Sequence, residues 1–393
     1  MQDEQQYRPT LIQVVARRTA EPDGVTNYAL VLADALRAYR GANSVFLSGT
    51  PSVDAMPVED GWKTVCVPKR KAQMLADTVQ FLSAETNARA VVLHFSGYGY
   101  QKRGVPIWLV QGLRIWSRGA GCVPLITIFH ELYATGRPWQ SAFWVSPLQK
   151  QIARTILNLS SAAITPTDLY RQRLSEWRDG DATEITAMPV FSNVGEPGCG
   201  PAPGARTAAA VVFGLAGVEN VIFGSHRPEI ERIISALGIE KIFDIGPRLS
   251  AMPRTLGGVP VIAKGVLPQD AVCELLQRAR FGFVAYPLDF IGKSSVFAAY
   301  AAHGVVPIVL SDKRAPHFRH VLARSSSFGS VTHYGALPLR PDRYFLDGLR
   351  LGTGAGAEDL ASIQRKLFNW YTSHSLKVQA EFLANAISPR RVN

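Results

Sequence analysis

The stretch that decides the architecture is Phe281-Gly-Phe-Val-Ala-Tyr-Pro287, which leads into Leu288-Asp-Phe-Ile-Gly-Lys-Ser-Ser295. Its apolar run ends at a proline and predicts a buried strand, and a helical pattern begins at the serines. Open α/β sheets bind ligands at the carboxyl ends of their strands, and a helix N-terminus favours phosphate. The loop therefore offers four candidates for a phosphate site, Gly292, Lys293, Ser294 and Ser295. The alternative is that Ser294 only caps the helix and that Lys293 is solvated.

Strands and helices alternate on both sides of this stretch. Apolar runs predict ten strands, at Thr10–Ala16, Ser44–Leu47, Ala90–His94, Leu125–Phe129, Ala162–Thr165, Ala209–Phe213, Lys241–Ile245, Val259–Ala263, Phe281–Tyr286 and Val306–Leu310. Helical periodicity between them predicts helices such as Val25–Tyr39, Pro147–Leu159 and Ser294–Ala302. This alternation is typical of parallel sheets with helices on both faces. Residues 189–209 are rich in Gly and Pro and predict a linker, and residues 357–386 predict one long amphipathic helix.

The length and composition of the chain limit the classes of protein to which it can belong. The chain has 393 residues, 47% of them hydrophobic and 19% charged, which predicts a globular protein of two domains. Its four cysteines form no CxxC pair, so neither a disulfide framework nor a zinc site is expected. No secretory signal and no run of about 18 apolar residues is visible, which predicts a cytoplasmic protein. A net charge of +11 predicts anionic partners.

Several runs resemble one enzyme family. Val259–Pro287 and His303–Val309 look like the second half of GT-B glycosyltransferases, most like the retaining family 4 group. Asp23–Leu36 is similar to the family's Gly-rich loop and first helix, and Ile126–Glu131 to its strand ending in His-Asp. The resemblance implies an α/β GT-B fold, with two Rossmann-like domains and a deep interdomain cleft.

The same resemblance implies that the two domains bind different substrates. Residues 1–195 would form an acceptor-binding domain, and residues 205–369 a domain that binds the nucleotide-sugar donor. The C-terminal helix, at about 370–393, would pack back on the first domain.

The donor site departs from the family pattern. Two glutamates of the family, registered on Gly304, correspond to Ile291 and Ala299 in this chain. Asp289, two residues before the first of these positions, is a candidate substitute. The resemblance also implies an arginine and a lysine after the first strand of the second half, and the candidate substitutes here are Gly214, Arg227 and Arg248.

The first half supplies the catalytic candidates. His130 ends a predicted strand beside Glu131, and the resemblance implies that this histidine lies next to the donor sugar. An imidazole there can bind a sugar hydroxyl or stabilise charge near the anomeric carbon, and a structural histidine is the alternative. Four further residues are candidates for the acceptor site or the cleft: Gly24, Asn27, His94 and Tyr98.

A basic and aromatic segment spans residues 101–118. Trp108, Leu109, Leu113 and Trp116 recur at helical spacing and basic residues flank them, which suits a helix lying on an anionic membrane. Trp139, Phe143 and Trp144 add aromatics nearby. The alternative is a core helix with a basic outer face. The membrane interpretation predicts a peripheral protein on the inner face of the membrane.

The most consistent prediction is a metal-independent, retaining glycosyltransferase of the EC 2.4 class. It would move a sugar from a nucleotide-diphosphate sugar to a lipid-linked or polysaccharide acceptor in cell-surface glycan biosynthesis. No metal site and no cofactor besides this donor are predicted, and no motif supports nucleic-acid binding. The alternatives are a nucleotide-sugar epimerase with the GT-B architecture and a non-catalytic scaffold of that fold.

Overall fold

The chain forms two compact units, Met1–Met188 with Leu376–Asn393, and Pro189–Ser375. The computed structural model describes residues 8–19, 23–49, 61–134, 139–180, 183–197, 206–214, 220–247, 253–310, 346–347 and 357–387. Each unit is built on one sheet of seven strands.

The first unit contains an entirely parallel sheet. Its strands are β1 (Thr10–Val15), β2 (Asn43–Ser48), β3 (Thr64–Cys66), β4 (Ala88–Phe95), β5 (Leu125–Phe129), β6 (Ala162–Thr165) and β7 (Glu184–Ala187). Their order in the sheet is β3-β2-β1-β4-β5-β6-β7, and every pair is parallel. This is the Rossmann order, in which the chain reverses its direction of travel between β1 and β4.

Helices cover both faces of this sheet. They are α1 (Gly24–Arg40), α2 (Ala72–Thr86), α3 (Gly97–Tyr100), α4 (Ile107–Ser117), α5 (Ser141–Leu159), α6 (Asp168–Trp177) and, from the end of the chain, α11 (Leu376–Ala386). Helix α1 packs on one face beside α11, through Ala29 and Ala33 against Val15 and Phe46. Helices α2, α4 and α5 share the apolar core of the other face. Helices therefore bury both faces of the sheet, as is usual for a parallel sheet.

The second unit repeats the plan. Its strands are β8 (Thr207–Phe213), β9 (Lys241–Ile245), β10 (Thr255–Leu256), β11 (Val259–Gly265), β12 (Ala279–Ala285), β13 (Val306–Leu310) and β14 (Leu346–Asp347). The order is β10-β11-β9-β8-β12-β13-β14, and only the short β10 is antiparallel to its neighbour. The reversal of travel here falls between β8 and β12.

In the described part of the second unit four α-helices pack on the sheet, α7 (Arg227–Leu237), α8 (Gln269–Arg278), α9 (Ser295–His303) and α10 (Ala357–Thr372). A 3-10 helix, Leu288–Lys293, precedes α9, and a π-helical stretch, Asn220–Ser225, precedes α7. Helix α9 is apolar all round because α8 and α10 cover it, and its residues from Phe297 to His303 are all buried. Tyr300 of this helix donates to Val211 O and Phe283 O at 3.1 and 3.3 Å. It lies so close to β12 that a Cβ on Gly282 would come within 2.5 Å of its ring.

Three sequence predictions need correction. Helix α5 begins at Ser141, six residues before the predicted start at Pro147, so this proline lies inside the helix. The C-terminal helix is two helices, and the chain returns to the first unit at Leu376. The described part of the predicted linker, residues 189–197, belongs to the second unit: Val190 N donates to Gly292 O at 2.9 Å.

The Ser192 amide shows the same attachment, since it donates to Tyr371 Oη at 2.9 Å. The boundary therefore lies at Met188 and not at residue 195. None of the described helices is both long enough and apolar enough to cross a membrane.

Candidate active site

A chain of buried polar groups lies where β1, β4 and β5 end. Gln13 is on β1, His94 is on β4, and His130 follows β5 directly. His94 Nε2 lies 2.8 Å from Gln13 Oε1, and His94 Nδ1 lies 3.3 Å from His130 Nε2. Gln13 Nε2 in turn donates to Ser44 Oγ at 3.4 Å. The parallel strands thus join four polar side chains that are far apart in sequence.

The bonding sets the tautomers of both histidines. Gln13 Oε1 can only accept, so His94 Nε2 carries a proton and its Nδ1 accepts from His130 Nε2. His94 is fully buried, and burial, with the neighbouring His130, lowers its pKa well below the usual range. It therefore stays neutral. His130 is 8% exposed and presents Nδ1 as an acceptor in this tautomer.

Helix α1 covers the two histidines with one aromatic ring. The Tyr28 ring meets that of His130 edge-on, with centroids 5.0 Å apart, and that of His94 at 6.0 Å. Tyr28 Oη donates to Gln379 Oε1 on α11 at 2.5 Å. Burial raises the pKa of Tyr28 well above its usual range, so the phenol stays protonated. The C-terminal helix thereby helps to hold His130 in place.

Asp23 fixes the start of α1 at the same edge of the sheet. Its carboxylate accepts from Thr26 N at 2.9 Å and pairs with Arg17 Nε at 2.9 Å, which is an N-cap reinforced by a charge. Gly24 is exposed, and a Cβ there would meet nothing within 4 Å. Asn27, one turn into the helix, is half-buried. The room beside Gly24 leaves this loop open to a ligand.

Glu131 and Tyr98 lie further out than the histidines. Glu131 is exposed, and its Oε2 accepts from Ser96 Oγ at 3.3 Å. Tyr98, on the short helix α3, is 45% exposed. His94, in contrast, is inside the unit, so its link to the surface runs through His130. The catalytic and acceptor roles of all these residues stay predictions.

Two neighbouring strands of the second sheet, β8 and β9, are each followed by a glycine, and the two glycines are in contact. Gly214 follows β8, and Gly246 follows β9 with φ +139°, a backbone angle that side chains rarely adopt. A Cβ on Gly246 would lie 2.2 Å from Gly214 O, so the two peptides touch. The loop after β12 begins beside Gly214, because β12 pairs with β8 in register. This is the point at which an open α/β sheet binds ligands.

The predicted phosphate loop lies at this same edge. Ser294 is buried and caps α9, since its Oγ accepts from Phe297 N at 3.1 Å. Gly292 is buried and Ser295 half-buried. Lys293 is half-buried, and its Nζ lies 5.6 Å from the centre of the Phe290 ring. The capping role foreseen for Ser294 is therefore correct, and its hydroxyl proton can still be donated.

The other predicted donor residues differ in what they offer. Asp289 is half-buried in the 3-10 helix. Arg227 is the first residue of α7, and its Nε forms an ion pair with Glu231 Oε1 of the same helix at 3.0 Å. Ile291 and Ala299, which stand where the family has glutamates, are 4% and 0% exposed in the apolar core. Arg248 lies outside the described residues.

The aromatic face of residues 101–118 is part of the core. Trp108, Leu109, Leu113 and Trp116 are 9%, 0%, 0% and 3% exposed. Helix α4, which carries them, packs against α2 through this face. The alternative of a core helix is therefore correct for the face that carries these residues, and that face is not available to a membrane. The outer face of α4 carries Arg114, but also the exposed Ile107 and Ile115.

No group of three or more His, Cys, Asp or Glu in the described residues is arranged to hold a metal ion. The absence of a metal site in the protein stays a prediction.

The chain is similar in structure to solved enzymes over almost its full length. It matches α,α-trehalose 6-phosphate synthase from Burkholderia multivorans over 97% of each chain, at 13% identity and a TM-score of 0.56. It matches the lipopolysaccharide outer core galactosyltransferase WaaB at 10% identity and a TM-score of 0.53, over 96% of this chain and 99% of that one. The chain has the GT-B fold.

The GT-B fold is shared with an isomerase as well. UDP-GlcNAc 2-epimerase from Neisseria meningitidis, bound to UDP-GlcNAc, matches 96% of this chain at 8% identity and a TM-score of 0.50, with 99% of its own chain covered. No family model and no curated protein sequence matches the chain. The resemblance to the retaining family 4 group and the deep interdomain cleft that it implies therefore stay predictions.

Proposed function

We propose that the protein is a glycosyltransferase that moves a sugar from a nucleotide-diphosphate sugar to a lipid-linked or polysaccharide acceptor. One observation carries the proposal: two Rossmann-like sheets in one chain each end in a polar edge, and transferases of the same fold match almost its full length. The proposal assigns the donor to the second unit and the acceptor to the first. Cell-surface glycan synthesis is the proposed setting.

The second unit has the features that a diphosphate needs. Lys293 supplies a positive charge next to the start of α9. The first amides of a helix have no intrahelical acceptor and carry a partial positive charge, which favours phosphate oxygens. The Gly214–Gly246 contact leaves the backbone bare of side chains where a nucleotide would approach. These groups would neutralise the leaving diphosphate without a metal ion.

The first unit supplies the group proposed to face the sugar. His130 is held by His94 on one side and by the Tyr28 ring on another, so its imidazole needs little reorganisation during the reaction. In its tautomer Nδ1 accepts a hydrogen bond, which suits a sugar hydroxyl. We propose retention of configuration, with the acceptor attacking on the face that the diphosphate leaves.

The experiment is an incubation with UDP-, GDP- and dTDP-sugars, with and without membrane extract as the source of acceptor. Acceptor-dependent release of the nucleotide, together with a labelled glycan or lipid product, is the expected result. EDTA should leave the rate unchanged. A protein that binds none of the nucleotides in a thermal-shift assay would contradict the proposal and favour a non-catalytic scaffold.

The likeness to UDP-GlcNAc 2-epimerase supports one competing function. An epimerase changes the sugar of its nucleotide-sugar and needs no acceptor. Proton NMR of the nucleotide-sugar pool distinguishes the two, because a new sugar nucleotide formed without extract would indicate epimerisation. Release of free nucleotide only with extract would indicate transfer.

A further inference from the structure

Four large apolar side chains at the start of α5 and just before it are exposed. Trp139 and Trp144 are 73% and 71% exposed, Leu148 is 56% exposed and Phe143 is 42% exposed. The rings of Phe143 and Trp144 pack edge to face, 5.4 Å apart. The later turns of α5 are different, because Ile152, Ala153 and Ile156 are buried in the core.

Basic residues lie around the first half of α5, although the Lys102–Arg103 loop meets this helix on its buried side. Gln149 is buried on the opposite side of α5, and its side chain donates to Arg103 O at 2.8 Å and accepts from Ala134 N at 2.6 Å. These bonds hold the exposed Lys102–Arg103 loop beside the helix. Lys150, two turns after Phe143 on α5, is exposed and lies 4.6 Å from the Tyr133 ring centre. We call Trp139, Phe143, Trp144, Leu148, Arg103 and Lys150 the basic aromatic patch.

The charge of the surrounding sequence has one sign. Between Glu85 and Asp168 the single acidic residue is Glu131. The same segment contains the basic residues Arg89, Lys102, Arg103, Arg114, Arg118, Arg137, Lys150 and Arg154. Eight basic residues against one acidic residue leave this segment of the chain with an excess of positive charge, which favours an anionic partner.

We propose that the basic aromatic patch docks the protein on an anionic lipid bilayer. Tryptophan and phenylalanine favour the boundary between headgroups and acyl chains, and neighbouring lysines and arginines attract anionic headgroups. The surface differs from the apolar face of α4, which is buried. It lies at the edge of the sheet where His130 follows β5, so a lipid-linked acceptor would be presented on the side of the candidate active site. The docking itself does not depend on the proposed transfer.

The test is flotation of the full chain with vesicles. Vesicles of phosphatidylcholine with 30% phosphatidylglycerol, a ratio of about one anionic lipid in three, should bind the protein, and phosphatidylcholine alone should bind it far less. The double variant Trp139→Ser/Trp144→Ser should lower the affinity about tenfold or more, because two interfacial aromatics are lost. Arg103→Gln/Lys150→Gln should weaken binding and reduce its salt dependence.

Phe81→Ser is the matched control, since Phe81 is an aromatic residue of the same unit, is 64% exposed and lies on α2. It should leave vesicle binding unchanged, and all variants should keep the wild-type melting temperature because the substituted side chains are exposed. Failure of the wild type to bind anionic vesicles would overturn the proposal. So would equal losses in the Phe81 control and the tryptophan variant. A dimer that the tryptophan variant dissociates, with vesicle binding intact, would assign the patch to a second copy instead.

Discussion

The carboxyl edges of the two sheets share one strand order but are built in different ways. At the first edge the polar groups stand on or directly after the strands, and they are buried and joined to one another from Gln13 to His130. At the second edge the polar groups lie on a loop and a helix start, at Gly292 to Ser295. The positions beneath that loop, Ile291 and Ala299, are apolar.

The difference separates a rigid site from an adaptable one. A buried network of satisfied hydrogen bonds holds one imidazole in a single tautomer and orientation. A half-exposed lysine and helix amides supply charge without fixing the shape of what they bind. The proposed function uses both, since the reacting sugar needs exact positioning and a flexible diphosphate needs neutralisation. Two experiments test this contrast and two test the stability of the second unit; they follow in order from the largest expected effect to the smallest.

Replacing the imidazole at the rigid edge should have the largest effect on activity. We expect His130→Ala to lower kcat for sugar transfer by about 10²- to 10³-fold, the usual loss when one preorganised hydrogen-bonding group is removed. Glu131→Gln is the control, because this exposed side chain lies outside the histidine network, and it should cost less than the His130 variant. Transfer of labelled sugar is the measurement. A kcat within threefold of wild type in His130→Ala would break the contrast between the edges.

The second edge rests on a clamp at the far end of its helices. Arg206 donates to Leu276 O, Ala279 O and His303 O at 3.1, 2.7 and 2.6 Å, so it joins the ends of α8 and α9. Arg206→Met should lower the free energy of unfolding of the second unit by about 3 kcal/mol, since buried carbonyls lose a charged donor. Urea unfolding followed by fluorotryptophan NMR measures it, because Trp370 is the single tryptophan among residues 189–375.

Arg278→Met is the control for this clamp. Arg278 is exposed, so its replacement should change the unfolding free energy by less than about 0.5 kcal/mol. Equal effects of the two substitutions would show that the helix ends do not depend on Arg206.

Acid should weaken the second unit through a buried histidine. Burial lowers the pKa of His374 to about 3 from 6.5. Below pH 6.5 the unfolded chain binds a proton there and the folded chain does not, so stability falls as the pH falls. The loss is about 2 kcal/mol at pH 5 for this residue. His374→Gln should flatten the dependence between pH 7.5 and 5 by that amount in urea unfolding, whereas a slope equal to wild type would show that His374 titrates normally.

The adaptable edge should show the smallest effect. Lys293→Ala should weaken UDP binding about tenfold, or about 1.4 kcal/mol, because one half-exposed charge is lost while the helix amides stay. Arg227→Ala is the control, since its guanidinium is paired with Glu231, and it should leave the affinity nearly unchanged. Titration calorimetry with UDP gives both values. An unchanged affinity in Lys293→Ala would move the phosphate site away from this loop.

Much of the fold could be predicted from local pattern. Four strands, Leu125–Phe129, Ala162–Thr165, Lys241–Ile245 and Val306–Leu310, have the bounds that the sequence predicts. They do so because burial on both faces of a parallel sheet favours strands made mostly of apolar residues. Local pattern failed where packing overrides it. The local pattern predicts a helix start at Pro147, whereas α5 begins at Ser141 and continues through this proline.

The candidate site was predictable in part, for the same physical reason. Strand ends carry His94 and His130, and a capping serine precedes α9, so these positions follow from the residues nearby in sequence. Gln13, Tyr28 and Gln379 carried no signal of their own. Gln379 is 351 residues from Tyr28, and only the return of α11 to the first unit joins them.

The sequence by itself determined the alternation of strands and helices, the apolar character of α9 and the excess of positive charge between Glu85 and Asp168. The tertiary structure decided which polar side chains meet, that the aromatic face of α4 is buried and that Trp139 and Trp144 are exposed. The physical reason is the distance along the chain over which each feature is set. Periodicity reports how each residue faces its own element, whereas burial and hydrogen bonding depend on neighbours that the fold brings from elsewhere in the chain.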